Sequence, residues 1–268
     1  MKTLKLAVIG KDVSQSGSPK IHKFIAERMG NSVEYTALSI HEDKFETEIE
    51  AIISRFDGFN VTIPYKLSVI PHLKKIEGDA KTFGAVNTVL SSERSGHNTD
   101  GMGFIMMLEN NSVSVKGKKV LLLGAGGAGR SVAKKLSDAG ANVEVYDKFA
   151  DNVKKLAAEF TGIKPLDEIQ VKPYDIIINA TGVGMHKTVG ISPVGAELVE
   201  LCDTAVDLIY TPKKSAFLEL AESLGKKIVN GEGMLFYQAY FAECIYFGLK
   251  PDNAQAKLLF EEFTRETE

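Results

Sequence analysis

The sequence predicts an α/β protein of two domains, in which largely parallel sheets are covered by helices. Strand-like and helix-like stretches alternate from end to end of the 268 residues, and this order is typical of parallel sheets with helical crossovers. In the middle of the chain, the glycine-rich turn Gly124–Gly129 joins an apolar strand to a helix. The length is sufficient for two domains of ordinary size.

The first hundred residues contain the elements of one α/β unit. Ser18-Pro19 has the pattern of an N-cap followed by proline at the first helical position, which predicts a helix that runs to about Met29. A further helix is expected to begin near Lys66, because Pro64 ends the strand before it. Apolar patterning predicts further elements: strands at Leu4–Ile9, Val33–Ser39, Phe59–Thr62, Ala85–Leu90 and Arg94–His97, and an amphipathic helix at His41–Arg55.

A polar stretch at Asn110–Gly117 precedes a second series of strands and helices. The run Lys119–Leu123 begins this second unit, and a helix is expected from the glycine turn to about Asp138. The later strands are predicted at Asn142–Tyr146, Asp175–Asn179, Ala205–Leu208 and Lys227–Val229. Two helices, Met234–Phe247 and Asp252–Arg265, follow the last strand and are compatible with packing on either unit.

Composition and charge exclude several classes of protein. The net charge of −3 gives no indication of a nucleic-acid or anionic-membrane partner. No apolar run approaches the length of a membrane span, and Leu4–Ile9 is better interpreted as a strand than as a signal peptide. The two cysteines and five histidines form no metal-binding motif, so no metal is expected. Reduced thiols and a cytoplasmic location are the simplest expectation.

The glycine turn has the pattern of a dinucleotide site. Gly124 permits the tight turn, Gly126 allows close approach of a pyrophosphate, and Gly129 lets helix and strand pack closely. The helix that follows offers unpaired N–H groups to phosphates. Asp147 ends the next strand, about 20 residues further on, where an acid binds the adenosine ribose. The structural alternatives are a tight turn without ligand and a solvated aspartate, and Lys148 partly offsets the charge of Asp147.

Short polar side chains follow several strands of the first unit. Ser16 and Ser18 come after the first strand, while Asn60, Thr62 and Asn87 lie at or near later strand ends. Hydroxyl and amide groups at one sheet edge suit a ligand that carries a carboxylate and hydroxyls. Each residue alone is more often structural, as a cap or turn residue. Their convergence at one edge therefore carries the prediction of a binding site.

Lys66 and Asp100 are the residues with the chemistry for carbonyl reduction. Taken singly, Lys66 is a solvated surface lysine, and Asp100 is an N-cap carboxylate stabilised by the helix dipole. Taken together, a lysine oriented by an aspartate supplies the positive charge or proton that a developing alkoxide requires. The sequence therefore predicts a hydride-transfer enzyme that acts on a small polyhydroxy substrate.

Together these motifs resemble the shikimate dehydrogenase family over nearly the whole chain. The markers are Ser16–Pro19, Asn60–Lys66, Gly84–Thr88, Asn98–Gly101, Gly124–Arg130, Asn179–Thr181, Asp207–Tyr210 and Gly231–Leu235. The resemblance implies reversible NAD(P)-dependent reduction of 3-dehydroshikimate to shikimate in aromatic amino-acid biosynthesis. It also implies a substrate domain at residues 1–103, with residues 239–268 packed back on it. Residues 104–238 are then a doubly wound, Rossmann-type nucleotide domain, with a cleft between the two.

The same resemblance assigns roles to individual residues. Lys66 and Asp100 form the catalytic pair, and Ser16 and Ser18 hold the substrate carboxylate. The other substrate-binding residues that it implies are Asn60, Thr62, Asn87, Tyr210 and Gln238. The residues that it places on the nucleotide side are Gly124, Ala125, Gly126, Gly127, Ala128, Gly129, Arg130, Asp147, Thr181, Leu208 and Gly231.

Departures from the family pattern affect the expected coenzyme. The family usually has arginine after the second nucleotide strand to bind the 2′-phosphate of NADP, whereas this chain has Asp147-Lys148. NAD is therefore favoured, and NADP, the family default, stays open. Gly182 stands where serine is common. Asp12 and Gln15 replace the usual proline and histidine before the serine pair, which is itself intact and favours shikimate over quinate.

Several alternatives remain at this point. One is an NAD-dependent quinate/shikimate dehydrogenase, and another is a catalytically silent, nucleotide-responsive binding protein on the same fold. Methylenetetrahydrofolate dehydrogenases share a similar arrangement, but the serine pair and Asn98-Thr99-Asp100 fit a compact hydroxylated acid better than a folate. The expected partner is a small molecule, and the protein is expected to be a monomer or homodimer.

Overall fold

The computed structural model describes residues 3–267, apart from the side chain of His186. The chain forms two compact units. Of the described residues, the first unit contains those up to Gly103 and those from Leu235 onward, and the second comprises Phe104–Met234. Each unit contains one six-stranded sheet, and the predicted α/β fold with parallel sheets is confirmed. The assignment of substrate and nucleotide to the two ranges stays a prediction.

The first unit is built on a mixed sheet in the order β2-β1-β3-β5-β6-β4. Its strands are β1 (Thr3–Gly10), β2 (Ser32–Ser39), β3 (Gly58–Val61), β4 (Lys75–Ile76), β5 (Thr88–Leu90) and β6 (Ser95–His97). Its helices include α1 (Ser18–Arg28), α2 (Phe45–Arg55), α3 (Gly78–Phe83) and the start of α4 (Asp100–Asn110). Strand β1 is parallel to β2 and β3, whereas β5 is antiparallel to both β3 and β6.

Strand β1 divides the core of the first unit between the two faces of its sheet. Leu4, Leu6 and Val8 pack in one cluster with residues of β2 and of the penultimate helix. Ala7 and Ile9 pack in another cluster with α2. This separation follows from the alternation of side chains along a strand, and it explains why β1 is apolar from Leu6 to Ile9.

The second unit contains a parallel sheet in the order β12-β11-β10-β7-β8-β9. Its strands are β7 (Lys119–Leu123), β8 (Asn142–Tyr146), β9 (Ile163–Pro165), β10 (Tyr174–Asn179), β11 (Cys202–Asp207) and β12 (Lys227–Val229). Its helices include α5 (Gly127–Asp138), α6 (Ala150–Glu159), α7 (Ala196–Val199) and α8 (Ala216–Ser223). Numbered within the unit, the strand order is 3-2-1-4-5-6, which is that of dinucleotide-binding Rossmann folds.

The two C-terminal helices are α9 (Glu232–Phe247) and α10 (Asn253–Thr267). Most of α9 and all of α10 belong to the first unit. An aromatic cluster of Phe24, Phe236 and Phe263 joins them to α1, with ring centroids 5.2 to 6.3 Å apart. Among the described residues, no helix is both long enough and apolar enough to cross a membrane.

Local structure differs from the sequence prediction at several places, and the clearest are these. Gly17, not Ser18, is the N-cap of α1, and Ser18 is its first residue. Residues 63–69 form turns instead of a helix at Lys66, because the Lys66 carbonyl accepts from Val86 N–H at 2.8 Å. Helix α2 begins at Phe45, four residues after His41. The short edge strand β9 was not predicted, since only three residues, one of them proline, form it.

Candidate active site

The loops that follow β1 and β3 lie side by side in the first unit. The Lys11 N–H donates to the Ile63 carbonyl at 3.1 Å, and the Thr62 N–H donates to the Ile9 carbonyl at 2.9 Å. In the sheet, β1 lies between β2 and β3, and the chain continues from the end of β1 toward β2. Loops diverge at such a point and leave room for a ligand at the carboxyl ends of the strands.

Lys66 and Asp100 form a close ion pair at this edge. Lys66 Nζ lies 2.6 Å from Asp100 Oδ2, and the two side chains are 16% and 9% exposed. Asp100 is in the first turn of α4, where the helix dipole favours a negative charge. Its N–H donates to Asn98 Oδ1 at 3.0 Å. Partial exclusion of water strengthens the attraction between the two charges.

Asn87 connects this ion pair to α9. Its Nδ2 donates to Asp100 Oδ1 at 2.8 Å and lies 3.5 Å from Gln238 Oε1. Its Oδ1 accepts from the Thr99 N–H at 2.9 Å. Because a backbone N–H can only donate, this last bond determines which way the Asn87 amide is oriented. The structure thus brings together Lys66, Asn87, Asp100 and Gln238, all predicted as site residues.

The predicted serine and threonine ligands lie on the loops of the same edge. Ser16 and Thr62 are half-buried, and Ser16 Oγ accepts from the Ser18 N–H at 3.2 Å. Ser18 is buried within α1. Ser16 and Ser18 therefore lie at the start of α1, whose N–H groups favour an anion.

Asn60 is surrounded by protein groups. Its Oδ1 accepts from the hydroxyls of Tyr35 at 2.8 Å and Tyr246 at 3.0 Å. Its Nδ2 donates to the Asn87 carbonyl and to Thr88 Oγ1, both at 3.2 Å. These four bonds use the full hydrogen-bonding capacity of an amide side chain. In this structure, therefore, Asn60 has no polar side-chain atom left over for a substrate.

In the second unit, the glycine loop has the geometry that a pyrophosphate requires. Gly124 has φ +99°, and a Cβ on Gly129 would lie 2.1 Å from the Gly124 carbonyl oxygen, so both positions require glycine. Gly126 and Gly127 face open space, with no heavy atom within 4 Å of a built Cβ. Backbone N–H groups at the start of α5 therefore remain accessible to phosphate oxygens.

Asp147 ties the glycine loop to the end of β8. Its Oδ2 accepts from the Ala125 N–H at 2.7 Å and its Oδ1 from the Phe149 N–H at 2.8 Å. A carboxylate has about four acceptor positions, so two remain for a ribose diol. This structural role was not anticipated from the sequence, from which Asp147 was interpreted either as a ribose ligand or as a solvated aspartate.

A cavity of about 560 Å³ adjoins this loop at the carboxyl ends of β7, β8 and β10. Its walls include Gly124, Gly126, Asp147, Phe149 and Thr181. Both the volume and the largely apolar walls are typical of small-molecule and cofactor sites. Glycines that admit a pyrophosphate, an acid at the rim and an adjoining cavity together fit the dinucleotide predicted from the sequence.

The other predicted nucleotide-side residues are held by structural contacts. Thr181 Oγ1 donates to Asn179 Oδ1 at 2.6 Å. A Cβ on Gly231 would lie 2.0 Å from the Leu208 carbonyl oxygen, so glycine permits this close approach. Arg130 pairs with Glu159 and lies 5.1 Å from the centre of the Phe160 ring. Ala128 occupies the first turn of α5.

Tyr210 follows β11 and is 38% exposed, and burial raises the pKa of its hydroxyl. Beneath its loop lies a buried network that sequence reasoning missed. Asp207 accepts from Asn179 Nδ2 at 3.0 Å, from Ser215 Oγ at 2.6 Å and from the Ile209 N–H at 3.0 Å. Burial raises the pKa of Asp207, while these bonds oppose the change. The sequence feature that could have indicated this network is Asp207 itself, a charged residue at the end of strand β11.

Across residues 3–267, no cluster of three or more histidine, cysteine, aspartate or glutamate side chains is placed to hold a metal. The expectation of a metal-free site stays a prediction. The Rossmann strand order, the glycine loop and the lysine–aspartate pair define an NAD(P)-dependent oxidoreductase of α/β fold.

Comparison with known proteins identifies the family. The family model described as the shikimate dehydrogenase substrate binding domain matches residues 8–89, and the shikimate / quinate 5-dehydrogenase model matches residues 107–188. The shikimate dehydrogenase (NADP(+)) of Methanococcus maripaludis is 35% identical, with 94% of each chain covered. The chain belongs to the shikimate dehydrogenase family.

Solved structures agree with this assignment. Shikimate 5-dehydrogenase from Thermus thermophilus, in complex with NADP(H) and shikimate, is 34% identical, with a TM-score of 0.86 and coverage of 97% of this chain and 99% of that one. The Listeria monocytogenes enzyme, in complex with shikimate and NAD, is 26% identical, with a TM-score of 0.83 and coverage of 96% of each chain.

Proposed function

We propose that this protein catalyses the reversible NAD(P)-dependent reduction of 3-dehydroshikimate to shikimate in aromatic amino-acid biosynthesis. The observation that carries the proposal is the 2.6 Å contact between Lys66 Nζ and Asp100 Oδ2 at the strand ends of the first unit. The family membership and the shikimate complex of the Thermus thermophilus relative support the choice of substrate.

The substrate side is assigned by the chemistry of its groups. Ser16 and Ser18, near the start of α1, bind the carboxylate by hydroxyl hydrogen bonds and the helix dipole. Thr62, Asn87, Gln238 and Tyr210 supply donors and acceptors to the ring hydroxyls. Because this set is complementary to a compact polyhydroxy acid, an analogue that lacks one hydroxyl leaves a polar group unpaired and is rejected.

The coenzyme, when bound, supplies or accepts the hydride. The glycine loop Gly124–Gly129 and Asp147 would hold it, with Arg130, Thr181, Leu208 and Gly231 around them. Lys66 then supplies a proton to the carbonyl oxygen in reduction, and its ammonium group stabilises the developing alkoxide. Asp100 orients Lys66 by accepting a hydrogen bond from its Nζ at 2.6 Å.

NAD is proposed to be favoured over NADP. The Asp147 carboxylate at the end of β8 accepts hydrogen bonds from a ribose diol and repels a 2′-phosphate. Lys148, which lies 4.9 Å from the centre of the Phe149 ring, offsets this charge only in part. The Listeria monocytogenes relative was solved with NAD, whereas the Methanococcus maripaludis relative is named for NADP.

Initial rates with shikimate and quinate, each with NAD and with NADP, test these assignments. We expect the highest kcat/KM for shikimate with NAD. Absence of turnover with shikimate under both coenzymes would refute the proposed reaction, and a preference for NADP would refute only the coenzyme assignment. The second candidate, an NAD-dependent quinate/shikimate dehydrogenase, is favoured by Asp147 and predicts comparable kcat/KM on the two acids.

The cellular setting is part of the proposal. The described cysteines, Cys202 and Cys244, are buried and free, and burial raises the pKa of both thiols. Unoxidised thiols are usual in the reducing cytoplasm. We propose a cytoplasmic enzyme that is a monomer or homodimer, and sedimentation velocity distinguishes the two states.

A further inference from the structure

A continuous chain of hydrogen bonds runs through the buried part of the first unit to the catalytic pair. The Tyr35 hydroxyl donates to Asn60, and Asn60 Nδ2 donates to Thr88 Oγ1. Thr88 Oγ1 donates to Asn87 Oδ1 at 2.9 Å, and Asn87 Nδ2 donates to Asp100 Oδ1. Thr88 is fully buried, so water does not compete for its bonds.

The direction of every bond in this chain is determined by groups that can only donate or only accept. The Asn87 carbonyl must accept, so Asn60 presents Nδ2 to it and to Thr88. The Thr88 hydroxyl, having accepted from Asn60, directs its proton to Asn87 Oδ1. The Thr99 N–H contacts the same Oδ1, which leaves Nδ2 of Asn87 for Asp100. All donors therefore point toward the carboxylate.

Aligned hydrogen bonds polarise one another in a medium of low dielectric constant. This series of hydrogen bonds therefore strengthens the bond from Asn87 Nδ2 to Asp100 Oδ1 and restricts rotation of the Asp100 carboxylate. With Oδ1 held in this way, Oδ2 faces Lys66 Nζ. Tyr35, the first donor of the series, is itself fixed, because its ring stacks on that of His22. The ring centroids are 4.4 Å apart and the angle between the ring planes is 20°.

We propose that Thr88 and Asn60 are positioning residues that orient Asp100 through Asn87. This assignment replaces the substrate contact predicted for Asn60, whose four hydrogen-bonding positions are taken by protein groups. It rests on the proposed function, since the orientation of Asp100 matters only if Lys66 and Asp100 act on the substrate.

The test compares two substitutions at one position. Thr88→Val removes the hydroxyl at nearly constant volume, and Thr88→Ser keeps it. We expect Thr88→Val to lower kcat with shikimate by about 10- to 50-fold with KM changed less than about threefold, because positioning affects the transition state. Thr88→Ser should keep at least about half of the wild-type kcat. Active-site titration and melting temperature report the folded fraction.

A second pair of variants serves if Thr88→Val fails to fold. Tyr35→Phe and Tyr246→Phe each remove one of the two hydroxyl donors to Asn60 Oδ1. Either single change should lower kcat by about two- to fivefold, and the double change should lower kcat by more than about 10-fold. A wild-type kcat per folded site in Thr88→Val, or in the double variant, would overturn the proposal. Equal losses in Thr88→Val and Thr88→Ser would also overturn it. A wild-type protein inactive on shikimate would instead refute the proposed function.

Discussion

Lys66 Nζ lies 2.6 Å from Asp100 Oδ2, although Lys66 lies in the loop after β3 and Asp100 is the first residue of α4. Lys66 is held by the bond from the Val86 N–H to its carbonyl, and Asp100 by the start of α4. The pair is therefore positioned by backbone on both sides. A group held in this way loses little entropy when it acts on substrate, and this favours a catalytic role.

Replacement of Lys66 by alanine tests that role directly. We expect kcat to fall by about 10²–10⁴-fold with a modest change in KM, because the lysine acts mainly in the transition state. Steady-state kinetics with shikimate measures the change. Lys81→Ala, at an exposed position of α3, is the control and should retain wild-type kcat. A Lys66→Ala enzyme with near-normal kcat would remove the catalytic assignment.

Asp147 is expected to govern coenzyme choice. Asp147→Ser removes the charge that repels a 2′-phosphate, so the ratio of kcat/KM for NADP to that for NAD should rise by about 10-fold or more. The exposed Asp138→Ala in α5 is the charge-matched control and should leave the ratio unchanged. An unchanged ratio in Asp147→Ser would show that the carboxylate serves only to hold the Ala125 and Phe149 N–H groups.

Two glycines of the nucleotide loop should respond in opposite ways to alanine. Gly129→Ala would place Cβ 2.1 Å from the Gly124 carbonyl oxygen, and the overlap should lower the free energy of unfolding by about 3 kcal/mol. Gly126→Ala meets no atom within 4 Å, so its stability should match wild type while the KM for coenzyme rises by about 10-fold or more. Urea unfolding and coenzyme titration separate the two effects. Similar stability of both variants would contradict this account.

Glu144 on β8 should make stability depend on acid pH. Burial acts to raise its pKa, but hydrogen bonds from Lys164, Lys172 and Tyr174 outweigh burial and lower the pKa to about 2, from 4.5. Because the folded-state pKa is the lower one, the stabilisation is complete above pH 4.5 and is lost as pH falls toward 2.

We expect the wild-type protein to lose about 1–2 kcal/mol more than Glu144→Gln between pH 7 and pH 3, a figure reduced because Lys164 is exposed to solvent. Urea unfolding at the two pH values measures this difference. Tyr174→Phe, which removes one hydrogen bond to Glu144, should show an intermediate loss. Identical pH dependence in wild type and Glu144→Gln would exclude the effect.

The buried pair of His22 and Glu243 is expected to matter for stability. His22 Nδ1 lies 2.6 Å from Glu243 Oε1, and neither side chain is exposed. Glu243→Ala leaves His22 buried without its partner and should lower the free energy of unfolding by about 3–5 kcal/mol. The double variant His22→Phe/Glu243→Met removes both polar groups. It should therefore lower the free energy of unfolding by less than Glu243→Ala does. A larger cost for the double variant would contradict this expectation.

Much of the site was predictable because parallel topology brings strand ends together. Once β1 and β3 are neighbours, the serine loop and the loop that carries Lys66 must meet at one edge. The glycine loop and Asp147 were predictable for the same reason, since β7 and β8 are adjacent and parallel. Hydrophobic period and turn residues report such local structure directly.

The sequence by itself determined the α/β class, most strands, the glycine loop and the residue types of the site. Only the tertiary structure decided which polar atoms are satisfied within the protein. Asn60 takes partners from β2, α9 and the start of β5, and Asn87 approaches Gln238 from 151 residues away. Such contacts depend on how helices and sheets pack, and packing leaves no periodic pattern in the sequence of either partner.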